Sequence, residues 1–262
     1  MGVLNVTPDS FSDGGRFAEH AAAVAHGRRL IDEGADILDV GGESTRPGAD
    51  RVPEEEELRR TVGVVGSLAP ARVSIDTTKV AVARAALEAG AEIVNDVSSF
   101  RTEPEMAGLV ASTGARCCLM HMLGEPRTMQ SDPRYGDVVD EVRSFLEERL
   151  AFAVGEGVPE ERIWLDPGIG FGKTVEHNVE LLRRLGELAA IGRPVLVGTS
   201  RKSFIARLTG AERVGPLGGT IASNVLAFER GAAIFRVHDV AEVRDALRVA
   251  AAVGTAATPP PS

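Results

Sequence analysis

The chain has 262 residues, 44% apolar and 26% charged, the proportions of a globular domain and not of a disordered one. Its net charge of −9 argues against a nucleic-acid-binding surface, which needs a basic stripe. No apolar run reaches the roughly 18 residues of a membrane helix, and no basic segment precedes the first apolar run, so the cytoplasm is the expected compartment.

Eight strands are expected, at 2–6, 36–40, 72–76, 92–96, 116–121, 163–166, 194–198 and 232–237. Helical patterns fill the gaps, among them 18–33, 53–68, 79–89, 137–155 and 177–188. A helix-to-strand corner recurs. A Gly-Ala-x-Ile core stands at 34–37, 90–93 and 231–234, with a fainter copy at Gly114. Each copy follows an amphipathic stretch and precedes a short apolar run. That suits a glycine just past a helix end, followed by a strand buried on both faces. Serial βα units over this length point to a single (β/α)8 TIM barrel spanning 1–253. The alternative, an open doubly wound sheet, lacks a Gly-x-Gly-x-x-Gly after its first strand. Residues 254–262 are too Pro-rich and polar to pack and are expected to form a disordered tail.

In such a barrel the site lies at the C-terminal ends of the strands. The strands end, in order, on Asn5, Asp39, Asp76, Asn95 with Asp96, His121, Asp166, the run Ser200-Arg201-Lys202, and Arg236 with His238. Helix capping accounts for any single Asp or Asn, Asp96 most readily, but not for a polar group on every strand. Asp76, Asn95 and Asp166 suit a flat heterocycle that shows an N–H/NH₂ edge, because a carboxylate accepts two hydrogens side by side. Lys202, Arg236, His238 and Arg46 suit a phosphate or pyrophosphate. Three Gly-rich loops, at 5–15, 41–48 and 166–173, extend the ring, the first long enough for a lid. Phe171 and Lys173 are expected to project from the third.

Only Lys79, Lys173 and Lys202 are lysines among 29 cations. Lys79 reads as a solvated charge in a helix's first turn. Cys117 and Cys118 read as reduced, buried thiols. The histidines show no zinc spacing, and no Walker A loop or Gly-x-Ser-x-Gly elbow is present.

Eight collinear segments now resemble one family: GVLNVTPDSFSDGG (2–15), GADILDVGGESTRPG (34–48), SIDTTK (74–79), VNDV (94–97), MHM (120–122), LDPGIGFGK (165–173), GTSRKS (198–203) and RVHDV (236–240). The family is dihydropteroate synthase. The resemblance covers residues 2 to about 250 and implies the joining of 6-hydroxymethyl-7,8-dihydropterin pyrophosphate to p-aminobenzoate, with release of pyrophosphate, in folate synthesis. It implies a pterin pocket at Asp76, Asn95, Asp166 and Lys202, with Arg236 over the pterin and His238 on pyrophosphate. Catalytic work would fall on Asp166, Lys202, Arg236 and His238. Thr45 would contact the diphosphate, and Asn5 would ligate a Mg²⁺ ion that accompanies it. Phe11, Pro47, Phe171 and Ser203 would form the p-aminobenzoate side. The resemblance also implies a homodimer through outer helices and sensitivity to sulfonamides. One departure is that family members carry a short segment ahead of the first strand, where Met1 stands here; it bears on the plug at the barrel's bottom and not on the site. A corrinoid methyltransferase shares the pterin barrel but has no need of Ser-Arg-Lys with a pyrophosphate-binding histidine.

Overall fold

A computed structural model describes residues 1–7, 15–44, 48–212 and 215–254, without the side chains of 15–18. Gly34, Gly90 and Gly231 take φ values of 95°, 112° and 93°, the left-handed conformation that a side chain resists. Each ends a helix and returns the chain to the barrel. The strands are β1 (Gly2–Asn5), β2 (Leu38–Gly41), β3 (Val73–Asp76), β4 (Ile93–Asp96), β5 (Arg116–Met120), β6 (Ile163–Asp166), β7 (Val195–Val197) and β8 (Ala232–Phe235). They pair in parallel in chain order. The barrel closes where Val3 N–H donates to Val237 O at 2.9 Å and Val237 N–H donates to Met1 O at 2.9 Å. The expected (β/α)8 barrel is therefore the observed fold.

The outer helices are α1 (Gly15–Asp32), α2 (Glu54–Ser67), α3 (Val80–Glu88), α4 (Glu105–Thr113), α5 (Val138–Gly155), α6 (Val175–Arg183), α7 (Leu185–Ala189), α8 (Ser203–Thr209), α9 (Leu217–Glu229) and α10 (Val240–Gly254). The single helix expected over 177–188 is two. Arg184 leaves helical geometry between them and reaches sideways, to Asp137 at 2.7 Å and Glu187 at 2.7 Å. Its neighbour α6 starts cleanly, because Thr174 and His177 form a reciprocal capping box. Gly254 closes α10, and the rest of the expected tail lies outside the described residues. Among the described residues no helix is long and apolar enough to cross a membrane.

Side chains alternate along a strand, so each strand sends one set outward and one into the lumen. The outward set, including Leu4, Val40, Ile75, Val94, Leu119, Leu165 and Val197, joins the helices in one large core. The inward set begins with a second cluster, Ile37, Ile93, Cys118, Trp164 and Leu196, packed against Met1 and Ile234. Both cysteines are free and buried, as expected. Two residues further along the even strands, Ile37, Ile93, Trp164 and Ile234 are succeeded by Asp39, Asn95, Asp166 and Arg236. A barrel lumen is filled in layers of four from alternate strands. Here an apolar layer supports a polar one.

Candidate active site

The polar layer is cross-linked. Arg236, just beyond β8, donates Nε–H to Asp39 Oδ2 at 2.6 Å and Nη2–H to Asp76 Oδ2 at 2.8 Å. Asn95 Nδ2 donates to the same Asp39 oxygen at 3.1 Å. Asp39 is fully buried, and Asp76, Asn95 and Asp166 are nearly so. Burial pushes the Asp76 carboxyl up to about 7; Arg236 opposes the shift, while Asp39, Glu57 and Asp96 add to it. Burial also raises Asp166, against the pull of Lys202 and the Gly168 N–H bond. Burial works against charge on Arg236 as well, but Asp39 and Asp76 outweigh it and hold the guanidinium protonated.

Lys202 stands at the start of α8. Its Nζ donates to Ile169 O and lies 4.6 Å from the centroid of the Phe171 ring. Burial brings its amine down to about 8, with Asp166 opposing and Arg236 adding. Ser203 is the first residue of α8 and is exposed. His238 Nδ1 is 3.0 Å from Ser200 Oγ, and the same hydroxyl accepts the His238 backbone N–H at 3.1 Å. Asn5 ends β1, half-buried. Phe11, Thr45, Arg46 and Pro47 lie outside the described residues.

The loop after β6 is braced from several sides. Asp166 Oδ1 accepts Gly168 N–H at 2.6 Å, and Asn178 Oδ1 accepts Gly170 N–H at 2.6 Å. Gln130 donates to Gly170 O and Tyr135 to Gly172 O, at 2.6 and 2.8 Å. Gly168 permits the closest approach: a Cβ there would stand 1.9 Å from His121 O. Phe171 packs on Val97, Met120, Met122 and Met129.

Lys173 does not project, as the sequence suggested. It is buried, with Nζ 2.8 Å from His121 Nδ1 and donating to Phe171 O at 3.0 Å. Burial, then Lys173, push His121 down to about 2, so the neutral ring accepts from the lysine. His121 thus faces a structural lysine and the Phe145 ring and does not join the polar layer. Lys79 is not solvated either. It bridges Glu43 and the buried Glu57, tying the stem of the 41–48 loop to α2. Asp96 does cap the turn after β4, accepting N–H bonds from Ser98 and Phe100. Sequence reasoning placed Asp39 on the ring but left it out of the candidate site. The signal was its two-residue offset from Ile37, repeated on β4, β6 and β8.

Carboxylates and cations meeting over one layer at the C-terminal end define a (β/α)8 barrel with a buried, charged candidate site. Residues 1–238 match the family model described as pterin binding enzyme. The chain is 48% identical over 252 residues to the dihydropteroate synthase of Escherichia coli (strain K12), covering 95% of this chain and 89% of that protein. The Xanthomonas albilineans dihydropteroate synthase solved with 4-aminobenzoic acid is similar at a TM-score of 0.91 and 50% identity, over 99% of this chain and 93% of that one. The Yersinia pestis enzyme, solved with a sulfonamide drug complex, is similar at a TM-score of 0.91 and 44% identity, over 98% of this chain and 94% of that one. The chain belongs to the pterin-binding enzymes and, within them, to the dihydropteroate synthase family.

Proposed function

We propose that the chain condenses 6-hydroxymethyl-7,8-dihydropterin pyrophosphate with p-aminobenzoate, giving 7,8-dihydropteroate and pyrophosphate. The observation that carries this is the meeting of Asp76, Asn95 and Asp166 with Lys202, Arg236 and His238 at one end of the barrel, in a chain of this family. Asp166 and Asp76 would accept the N–H/NH₂ edge of the pterin, and Asn95 would orient it. Arg236 would lie over the ring. His238, steadied by Ser200, would meet the pyrophosphate.

In the reaction the C–O bond to pyrophosphate breaks and takes its electron pair onto oxygen. The arylamine lone pair forms the new C–N bond, and the nitrogen then loses one proton. Positive charge develops at the pterin methylene, beside the Asp166 carboxylate, and negative charge at the leaving group, beside Arg236 and His238. Holding the amine near the methylene supplies the rest. On the amine's side would stand Phe171 and Ser203, with Phe11 and Pro47 assigned by resemblance alone, while Thr45 and Arg46 would meet the diphosphate.

Asn5 offers a hard oxygen at the end of β1, and among the described residues no group of three or more His, Cys, Asp or Glu could hold a metal unaided. That donor set suits Mg²⁺, which keeps few protein ligands and takes most of its oxygens from phosphates and water. When bound, the ion would neutralise charge on the departing pyrophosphate. A homodimer in the cytoplasm completes the reading.

The test is pyrophosphate release with both substrates present, with and without Mg²⁺. Release that requires p-aminobenzoate, and competitive inhibition by a sulfonamide, are the expected results. Release independent of the arylamine would overturn the reading.

A further inference from the structure

We infer that Asp39 is a positioning residue of the pterin pocket, its carboxylate setting both the Arg236 fork and the Asn95 amide. The inference rests on the proposed reading of the site. Asp39 is fully buried in the lumen, in the layer it shares with Asn95, Asp166 and Arg236. One oxygen, Oδ2, takes hydrogen bonds from both Arg236 Nε at 2.6 Å and Asn95 Nδ2 at 3.1 Å. Committing the amide N–H₂ to Asp39 leaves Asn95 to present its carbonyl oxygen, an acceptor for the ligand's N–H groups. Committing Nε to Asp39 fixes the plane of the guanidinium, so that Nη2 meets Asp76 at 2.8 Å and the remaining donors keep one direction.

Stability alone gives no reason for a carboxylate at this position. Asp39 Oδ1 is buried without a hydrogen-bond partner, and so is Oγ of Ser74, its neighbour in the β2–β3 register. A buried ion pair with an unmet oxygen is commonly no better for the fold than apolar groups of the same size. The layer immediately below is filled by such groups. A charge that the fold does not need, bonded to two pocket residues and bridged by Arg236 to a third, fits a role in aligning them.

The experiment measures, by calorimetry, pterin pyrophosphate binding to the unmodified chain and to Asp39→Asn, Asp39→Glu, Arg236→Met and the double variant Asp39→Asn/Arg236→Met. Steady-state KM for p-aminobenzoate is measured in the same set where turnover remains. Asp39→Asn should weaken pterin pyrophosphate at least tenfold and change KM for p-aminobenzoate less than twofold. Asp39→Glu should recover part of the loss. The two single losses should not multiply: the double variant should bind at least fivefold better than their product predicts. A second readout is the acid limb of pterin binding. Asp76 is faced by Asp39, Glu57 and Asp96 on the acidic side and by Arg236 on the basic side. Removing the Asp39 charge should move that limb to lower pH, which a loss of packing would not do. Should Asp39→Asn not fold, the double variant, which removes the Asp39 charge together with its Arg236 partner, carries the test: it should bind within about threefold of Arg236→Met alone. Unchanged binding by Asp39→Asn, or losses that multiply fully, overturns the inference while the functional reading stands. No binding by the unmodified chain overturns both.

Discussion

Two layers fill the barrel lumen, built by the same strands two residues apart, and they obey opposite rules. Ile37, Ile93 and Trp164, with Ile234 against them, pack into an apolar cluster at the end of the lumen where Met1 sits. Asp39, Asn95 and Asp166 are as deeply buried but carry charge or amides, one carboxylate oxygen lacks a partner, and the Asp76 carboxyl is lifted to about 7. The lower layer contributes stability through burial. The upper layer carries buried polar groups that burial disfavours, a cost that the proposed ligand-binding role accounts for. A barrel can bear that cost because the outer core and the lower layer are continuous and apolar.

The comparison breaks if the layers respond alike to mutation. Ile93→Ala, in the lower layer, is expected to cost about 2–5 kcal/mol of stability, read by denaturant unfolding, and to leave pterin pyrophosphate affinity within about twofold. A next-largest effect concerns pH. Binding needs Asp76 charged, so kcat/KM for pterin pyrophosphate should fall as pH drops through about 7. It needs Lys202 charged, so kcat/KM should fall again as pH rises through about 8. Each limb should steepen towards roughly tenfold per pH unit, and the apparent values belong to the coupled set of groups. A profile flat from pH 6 to pH 9 would contradict the assigned charge states. The same raised carboxyl predicts stability lost as pH climbs towards about 7, because the native state then holds a proton that the unfolded chain has released.

Smaller effects sharpen the picture. Lys173→Met removes the donor to Phe171 O and His121 Nδ1, and should raise KM for p-aminobenzoate by several-fold, as for about 1 kcal/mol, while pterin pyrophosphate binding holds. Equal losses for both substrates would mean that the loop after β6 moves as a whole. Smallest of all, Arg201→Ala breaks an exposed pair with Asp239 and should shift stability by less than about 1 kcal/mol in a melting curve.

Much of this was legible in the residues, for stated reasons. Seven strands were placed within about two residues at either end, and β6 on its observed bounds, because strands buried on both faces read as short apolar runs bounded by Gly or polar ends. The Gly-Ala-x-Ile corners marked where helices stop. Placement of polar groups at the strand ends followed from topology alone. The partners of those groups were not legible. Lys79 and Lys173 read as exposed because a lysine's sequence neighbours do not disclose Glu43, Glu57 or His121, brought in from other elements. The break at Arg184 was hidden for the same reason, since Asp137 lies 47 positions away. Asp39 was visible as a strand-end carboxylate, but its role depends on an arginine 197 positions distant.

The most direct measurement pairs Trp164 with Asp166, two residues apart on the inward face of β6. Trp164→Phe and Asp166→Asn are compared with the unmodified chain for melting temperature and for calorimetric affinity towards pterin pyrophosphate. Asp166→Asn should bind at least tenfold more weakly, since a lost charged hydrogen bond costs about 1.5–3 kcal/mol, and should melt close to the unmodified chain. Trp164→Phe should melt lower and bind as the unmodified chain does. Full affinity in Asp166→Asn, or a weakened ligand in Trp164→Phe at unchanged stability, would contradict the division of the lumen into a supporting layer and a binding one.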